Sequence, residues 1–92
     1  MAQARDHPQA SSAAFEVAVE ALAALVAVAA ARIDSERSAA APDYVSIATW
    51  EGRLSRWREQ LHDLHPADTP AVRSVLTTDA PLLRALNSRS SA

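Results

Sequence analysis

Residues 15–32 read FEVAVEALAALVAVAAAR, and this stretch decides the fold of the chain. Alanine, leucine and glutamate are strong helix formers, so the stretch predicts a helix. Its larger apolar residues recur at alternating spacings of four and three, which places them along one stripe. The stripe comprises Phe15, Val19, Leu22, Val26, Ala29 and Ile33. A second apolar flank comprises Val17, Ala21, Leu25 and Val28. The stripe is predicted to pack against later helices of the chain. The flank is predicted to need a second surface that covers its apolar side chains.

A second helix is predicted at residues 43–64. Pro42 suits a first helical position, and Asp43 suits the first turn or the cap. Pro66 disfavours helix at the residue before it, so it ends the element. Its apolar residues alternate spacings of three and four, so it should pair with the first helix as an antiparallel hairpin. These residues are Ile47, Trp50, Leu54, Trp57, Leu61 and Leu64.

Two proline-containing segments divide the C-terminal part of the chain. Thr69 and Pro70 predict the cap and first position of a third helix. Asp79-Ala80-Pro81 repeats this pattern, and Pro81 predicts a break or a sharp kink before a last short helix. The expected fold is therefore all-α: a small three-helix bundle built on a long helical hairpin plus short C-terminal helices.

The expected domain boundaries follow from where the apolar periodicity begins and ends. Ser11 or Ser12 can cap the first helix, and residues 1–11 are polar and read as a flexible tail. The helical bundle is expected at residues 12–87, with a second flexible tail at residues 88–92. A chain of 92 residues is enough for one small domain.

Composition narrows the classes of function. With no cysteine, disulfides, thiolate catalysis and cysteine-based zinc sites are excluded. A net charge of −2 does not favour nucleic-acid binding. The polar N-terminus is not typical of a signal peptide, and the charge-free run at residues 21–31 is shorter than the roughly 20 residues of a membrane span. A cytoplasmic protein without membrane contact is expected.

Candidate chemical sites are few. His62 and His65 could ligate zinc or iron, but no third strong ligand follows at helical spacing, so no metal site is predicted. Arg53, Arg56 and Arg58 form a basic patch on the second helix, which we interpret as a solvated mixed-charge face. There is no glycine-rich phosphate loop and no nucleophile beside a base. The sequence therefore predicts no enzymatic activity, no catalytic residue and no cofactor.

The start of the first helix is the candidate binding site. The second apolar flank could be covered by another helix of the same chain, as in a three-helix bundle with a central helix. Alternatively, the early apolar residues could dock into a groove of another protein, and both could hold on different faces. These early residues are Phe15, Val17, Val19 and Leu22. Glu16 and Glu20 share a helix face beside them and could meet a basic surface on that partner.

The layout of the chain resembles a known bacterial family. A short polar segment leads into Phe15-Glu16-Val17 and an apolar helix with Leu22, followed by an amphipathic helix and short C-terminal helices. In this it resembles the epsilon-type antitoxins that neutralise Zeta toxins. The resemblance implies a three-helix bundle without enzymatic activity. It also implies a hetero-oligomer with a P-loop-type kinase of UDP-N-acetylglucosamine, whose ATP site the N-terminal helix would block. Carried over to this chain, the resemblance implies that the partner-binding residues at or beside that site are Phe15, Glu16, Val19 and Glu20.

Two other functions remain open from the sequence. The spare flank of the first helix could pair two copies of the chain, as in a self-associating structural or adaptor protein. A DNA-binding regulator is less favoured, because the two C-terminal helices are short and carry only Arg73 and Arg84 before the tail.

Overall fold

A computed structural model of the chain describes the backbone of residues 2–91 and the side chains of residues 12–89. All elements in this part of the chain are helical, which confirms the predicted all-α class. In chain order they are α1 (Ala2–Arg37), α2 (Tyr44–Asp63), α3 (Thr69–Ser74), a π-helical turn (Val75–Asp79) and α4 (Ala80–Ser91). We refer to α3, the π-helical turn and α4 together as the C-terminal helix.

The long hairpin of α1 and α2 is confirmed. A short connection joins the two helices, and polar contacts fix their adjoining ends. The Asp43 backbone N–H donates to Glu36 Oε1 at 2.9 Å, and Arg37 forms an ion pair with Glu51. These contacts hold the start of α2 beside the end of α1, so α2 runs back along α1 in the antiparallel direction.

Asp43 is the N-cap of α2, which is one of the two positions predicted for it. Pro42 lies before the cap, so its predicted place at the first helical position was wrong. Asp43 Oδ1 accepts hydrogen bonds from the backbone N–H groups of Val45 and Ser46, both at 3.1 Å. These groups have no acceptor within the helix, so the cap satisfies donors that would otherwise rely on water.

Replacing this cap gives a first testable prediction. The Asp43→Ala variant should lose about 1 kcal/mol of unfolding free energy, because it removes the acceptor for both N–H groups. Asp43→Asn keeps a side-chain oxygen at the same position and should lose much less. Urea denaturation followed by circular dichroism measures both values. Equal losses in the two variants would contradict the capping role.

The start of the C-terminal helix differs by one residue from the prediction. Asp68, rather than Thr69, is the N-cap, and its Oδ1 accepts from the Ala71 N–H at 3.2 Å. Thr69 and Pro70 instead lie in the first turn. Aspartate and threonine both cap helices well, so the sequence alone does not separate the two registers.

Pro81 does not divide the C-terminal helix into two. The prediction of a separate last helix was wrong, since α3, the π-helical turn and α4 are continuous. The π-helical turn directly precedes Pro81, and the Ala80 N–H donates to the Val75 carbonyl five residues earlier. A proline ring clashes with the carbonyl four residues before it, and a wider turn is one way to relieve that clash.

On α1, the core residues lie between the predicted apolar stripe and the second apolar flank. Leu22, Leu25 and Val75 are the largest fully buried side chains. Ala18 and Ala21 are also buried, whereas Val19 and Val26 are only half-buried. Both α2 and the C-terminal helix pack on α1. The contact line is therefore rotated toward the second flank, because two neighbouring helices must share the apolar surface of α1. The main cluster is Ala18, Ala21, Leu22, Leu25, Ala29, Trp57, Val72, Val75 and Leu86.

The helical backbone extends beyond the predicted bundle at both ends. It begins at Ala2, so the predicted start at Ser11 or Ser12 was wrong, and it continues to Ser91. Alanine, glutamine and arginine in residues 2–11 all favour helix. The side chains of residues 1–11 and 90–92 lie outside the described part of the chain. The flexibility of segments 1–11 and 88–92 therefore stays a prediction.

Candidate protein interface on α1

The four predicted partner-binding residues divide into two pairs. Glu16 and Glu20 are exposed. Phe15 and Val19 are half-buried, and Phe15 packs against the core cluster. The two carboxylates are thus fully presented to a partner, whereas Phe15 also contributes to the fold. Replacing Phe15 would change both stability and binding, so the glutamates are the cleaner probes of an interface.

An exposed strip of α1 runs past the two glutamates, and we call it the outer face of α1. Apart from the adjacent pair Glu16 and Val17, its residues recur at spacings of three and four, as on one side of a helix. Val17 is its most exposed large apolar residue, at 53% exposure. Most of its other members are alanines. The outer face consists of Ala13, Glu16, Val17, Glu20, Ala23, Ala27, Ala31 and Asp34, all of them exposed.

The outer face is acidic. Its only ionisable residues are Glu16, Glu20 and Asp34, and no ion pair among the described residues engages any of them. The guanidinium groups of Arg32 and Arg53 lie instead over the Trp50 ring, at 5.2 and 4.9 Å from its centroid. The carboxylates of Glu16 and Glu20, beside small apolar side chains, form a surface that complements a basic, shallow groove.

The chain covers part of the second apolar flank by itself. Ala21 and Leu25 are buried, and Val28 is half-buried against the core. The second cover predicted for this flank is therefore supplied in part by the chain itself, because the C-terminal helix packs on α1 alongside α2. Val17 is the part of the flank that remains exposed.

The segment Ser12–Arg37 of α1 is long and apolar enough to cross a membrane by length and composition. An 18-residue stretch within this segment has a mean hydropathy of 2.0, and 28% of that stretch is buried inside the bundle. This segment is longer than the charge-free run at residues 21–31, on which the prediction of no membrane span was based, because it includes charged residues on both sides of that run. The mostly buried core helix of a soluble protein and a signal sequence near the N-terminus meet the same criterion, so one such helix is weak evidence of a membrane span.

The two histidines considered as metal ligands have separate neighbours. His62 Nδ1 lies 3.0 Å from Asp63 Oδ1, whereas His65 Nδ1 accepts a hydrogen bond from the Ala67 N–H at 3.1 Å. No group of three or more potential metal ligands occurs within the described residues.

All three arginines of the basic patch predicted on α2 are exposed. Arg53 and Arg56 also line a groove between α2 and the C-terminal helix, whereas Arg58 does not. This groove was not predicted from the sequence, since it depends on how α2 and the C-terminal helix lie beside each other. The i, i+3 spacing of the two arginines was the available signal.

Comparisons of the chain with protein-family models, with curated proteins and with solved structures find no match.

Proposed function

We propose that this chain is a non-enzymatic binding protein that neutralises a toxin by docking the N-terminal part of the outer face of α1 onto it. The observation that carries the proposal is the exposure of Val17 between Glu16 and Glu20 on an otherwise alanine-rich helical surface. Small side chains let another backbone approach closely, and the carboxylates supply direction and specificity.

The proposed partner carries a basic pocket. A nucleotide-binding kinase has such a pocket, because cationic groups must hold the phosphates of ATP. Glu16 and Glu20 would occupy it with negative charge of their own, while Val17 and the half-buried Val19 contact its apolar rim. This matches the mechanism implied by the resemblance to epsilon-type antitoxins, in which the toxin is a UDP-N-acetylglucosamine kinase.

The test uses the protein encoded by the adjacent reading frame, co-expressed and co-purified with the chain. The expected result is a kinase that binds the chain and loses its phosphotransfer activity in the complex. Glu16→Arg and Glu20→Arg, each made singly, should weaken inhibition about tenfold to a hundredfold, since each replaces an attraction by a repulsion.

Asp34→Arg provides the matched control for these variants. It makes the same change of charge on the same outer face, but nearer the C-terminal end of α1. It should leave inhibition unchanged. If all three variants inhibited the kinase equally, the docking site would be refuted. If the two proteins did not interact at all, the proposed function would be refuted.

Self-association is the second candidate function, and the exposed alanines of the outer face favour it, because they permit close helix packing between two copies. Sedimentation equilibrium of the isolated chain separates the two functions. A monomer is expected under our proposal, whereas a tight dimer disrupted by Ala27→Arg would favour self-association.

A further inference from the structure

A groove runs between α2 and the C-terminal helix. It consists of two adjoining cavities of about 480 and 320 Å³, both lined by Arg56, Gln60 and Ser74. None of the residues lining either cavity belongs to α1. The groove is therefore a surface separate from the outer face of α1.

The larger cavity is rich in hydrogen-bond donors. Arg53 and Arg56 contribute guanidinium groups from α2, and Ser74 and Thr78 contribute hydroxyl groups from the C-terminal helix. No hydrogen bond or ion pair within the described residues engages the side chains of Arg56, Ser74 or Thr78. Stacking on Trp50 at 4.9 Å holds the Arg53 guanidinium in place.

A buried carboxylate lies at the wall of the same cavity. Asp79 is 9% exposed and ends the π-helical turn, and its Oδ2 accepts a hydrogen bond from Gln60 Nε2 at 3.2 Å. This bond links α2 to the C-terminal helix across the groove. With two arginines and one aspartate, the ionisable groups of the larger cavity still carry a net positive charge.

The smaller cavity has the opposite charge. Glu59, Asp63 and Asp68 line it, and Arg56 is its only basic residue. Leu64 and Val75 are apolar residues of its lining. The groove therefore changes along its length from a basic half to an acidic half.

We propose that this groove binds a short extended peptide segment of a second protein, with an acidic side chain in the basic half and a basic side chain in the acidic half. From Arg56 to Asp63 the axis of α2 rises about 10 Å, at 1.5 Å per residue. Charges that far apart do not fit a single amino acid. In a polyproline II helix, residues three apart share one side and lie about 9 Å apart.

The walls of the groove also suit a peptide backbone. Gln60, Ser74 and Thr78 can donate to the carbonyl groups of an extended chain, which makes no hydrogen bonds of its own in the polyproline II conformation. The exposed Arg56 lies at the junction of the two halves, where it is placed to pair with an acidic side chain of the peptide.

The test is a titration of the full isotope-labelled chain with the capped peptide Glu-Pro-Pro-Lys, followed by backbone amide shifts in NMR. Shifts confined to the groove-lining parts of α2 and the C-terminal helix are expected at millimolar peptide. The peptide Gln-Pro-Pro-Gln should cause no comparable shifts. Arg56→Gln should weaken binding about fivefold or more, because it removes a cation that faces the groove.

Arg58→Gln is the matched control, since Arg58 is an exposed arginine of α2 that lines neither cavity. It should bind Glu-Pro-Pro-Lys as the unaltered chain does. The proposal would be overturned by equal shifts with the neutral peptide, by unchanged binding to Arg56→Gln, or by the same shifts with inorganic phosphate alone. Glu20→Arg, which tests the proposed function, should leave peptide binding unchanged, so the two proposals can fail separately.

Discussion

The Trp57→Ala variant is expected to lose about 3–5 kcal/mol of unfolding free energy. Trp57 is 4% exposed and belongs to the core cluster that joins α1, α2 and the C-terminal helix. Much of the surrounding cluster is alanine and valine, which leave little volume to collapse into the cavity. A chain of this length typically has about 5–14 kcal/mol of stability in total, so the variant should lose a large part of it.

Trp50→Ala is the natural comparison, because it removes the same side chain from the same helix. Trp50 is only half-buried, and the cations of Arg32 and Arg53 lie over its ring. Its removal should therefore cost at least about 1 kcal/mol less than that of Trp57. Urea denaturation followed by circular dichroism measures both losses. A loss for Trp50→Ala that equals or exceeds that for Trp57→Ala would show that the core is centred elsewhere on α2.

The contrast between the two tryptophans indicates how far the sequence predicts this fold. The periodicity of α2 places Trp50 and Trp57 on one stripe, and it correctly predicts that this stripe faces α1. It does not distinguish their burial. The C-terminal helix covers the part of the hairpin around Trp57, and its position depends on the loop between α2 and α3.

The rotation of the α1 core has a similar physical origin. Hydrophobicity assigns Val19 and Val26 to the core because they are larger than Ala18 and Ala21, yet the alanines are the buried residues. Two helices packed on one side of α1 require small residues at the line of closest approach. The apolar pattern of a single helix does not show how many helices pack on it, so it cannot predict where the line of closest approach lies.

The candidate interface was also predictable only in part, because the sequence pattern of α1 does not show which of its residues the neighbouring helices cover. Glu16 and Glu20 follow from charge near the start of an apolar helix, and both are exposed. Phe15 was predicted as an anchor for a partner, but part of its surface packs on the core. The exposure of Val17 could not be read from its hydrophobicity, since only the positions of α2 and the C-terminal helix leave it uncovered.

The Leu86→Asp variant is expected to lose about 4 kcal/mol or more of unfolding free energy, which tests whether α4 closes the bundle. Leu86 is 6% exposed and belongs to the core cluster, although it lies only a few residues before the C-terminus. An aspartate at this position must either bury a charge without a partner or pull α4 away from α1, which would expose the apolar residues beneath it.

Ala85→Asp introduces the same charge at the neighbouring, exposed position of α4. It should change stability by no more than about 0.5 kcal/mol, because the carboxylate stays in water. Comparing the urea midpoints of the two variants isolates the effect of burial from that of charge and helix propensity. If both variants unfold at the same urea concentration as the unaltered chain, α4 contributes little to the core. The stable unit would then be the hairpin with α3 and the π-helical turn.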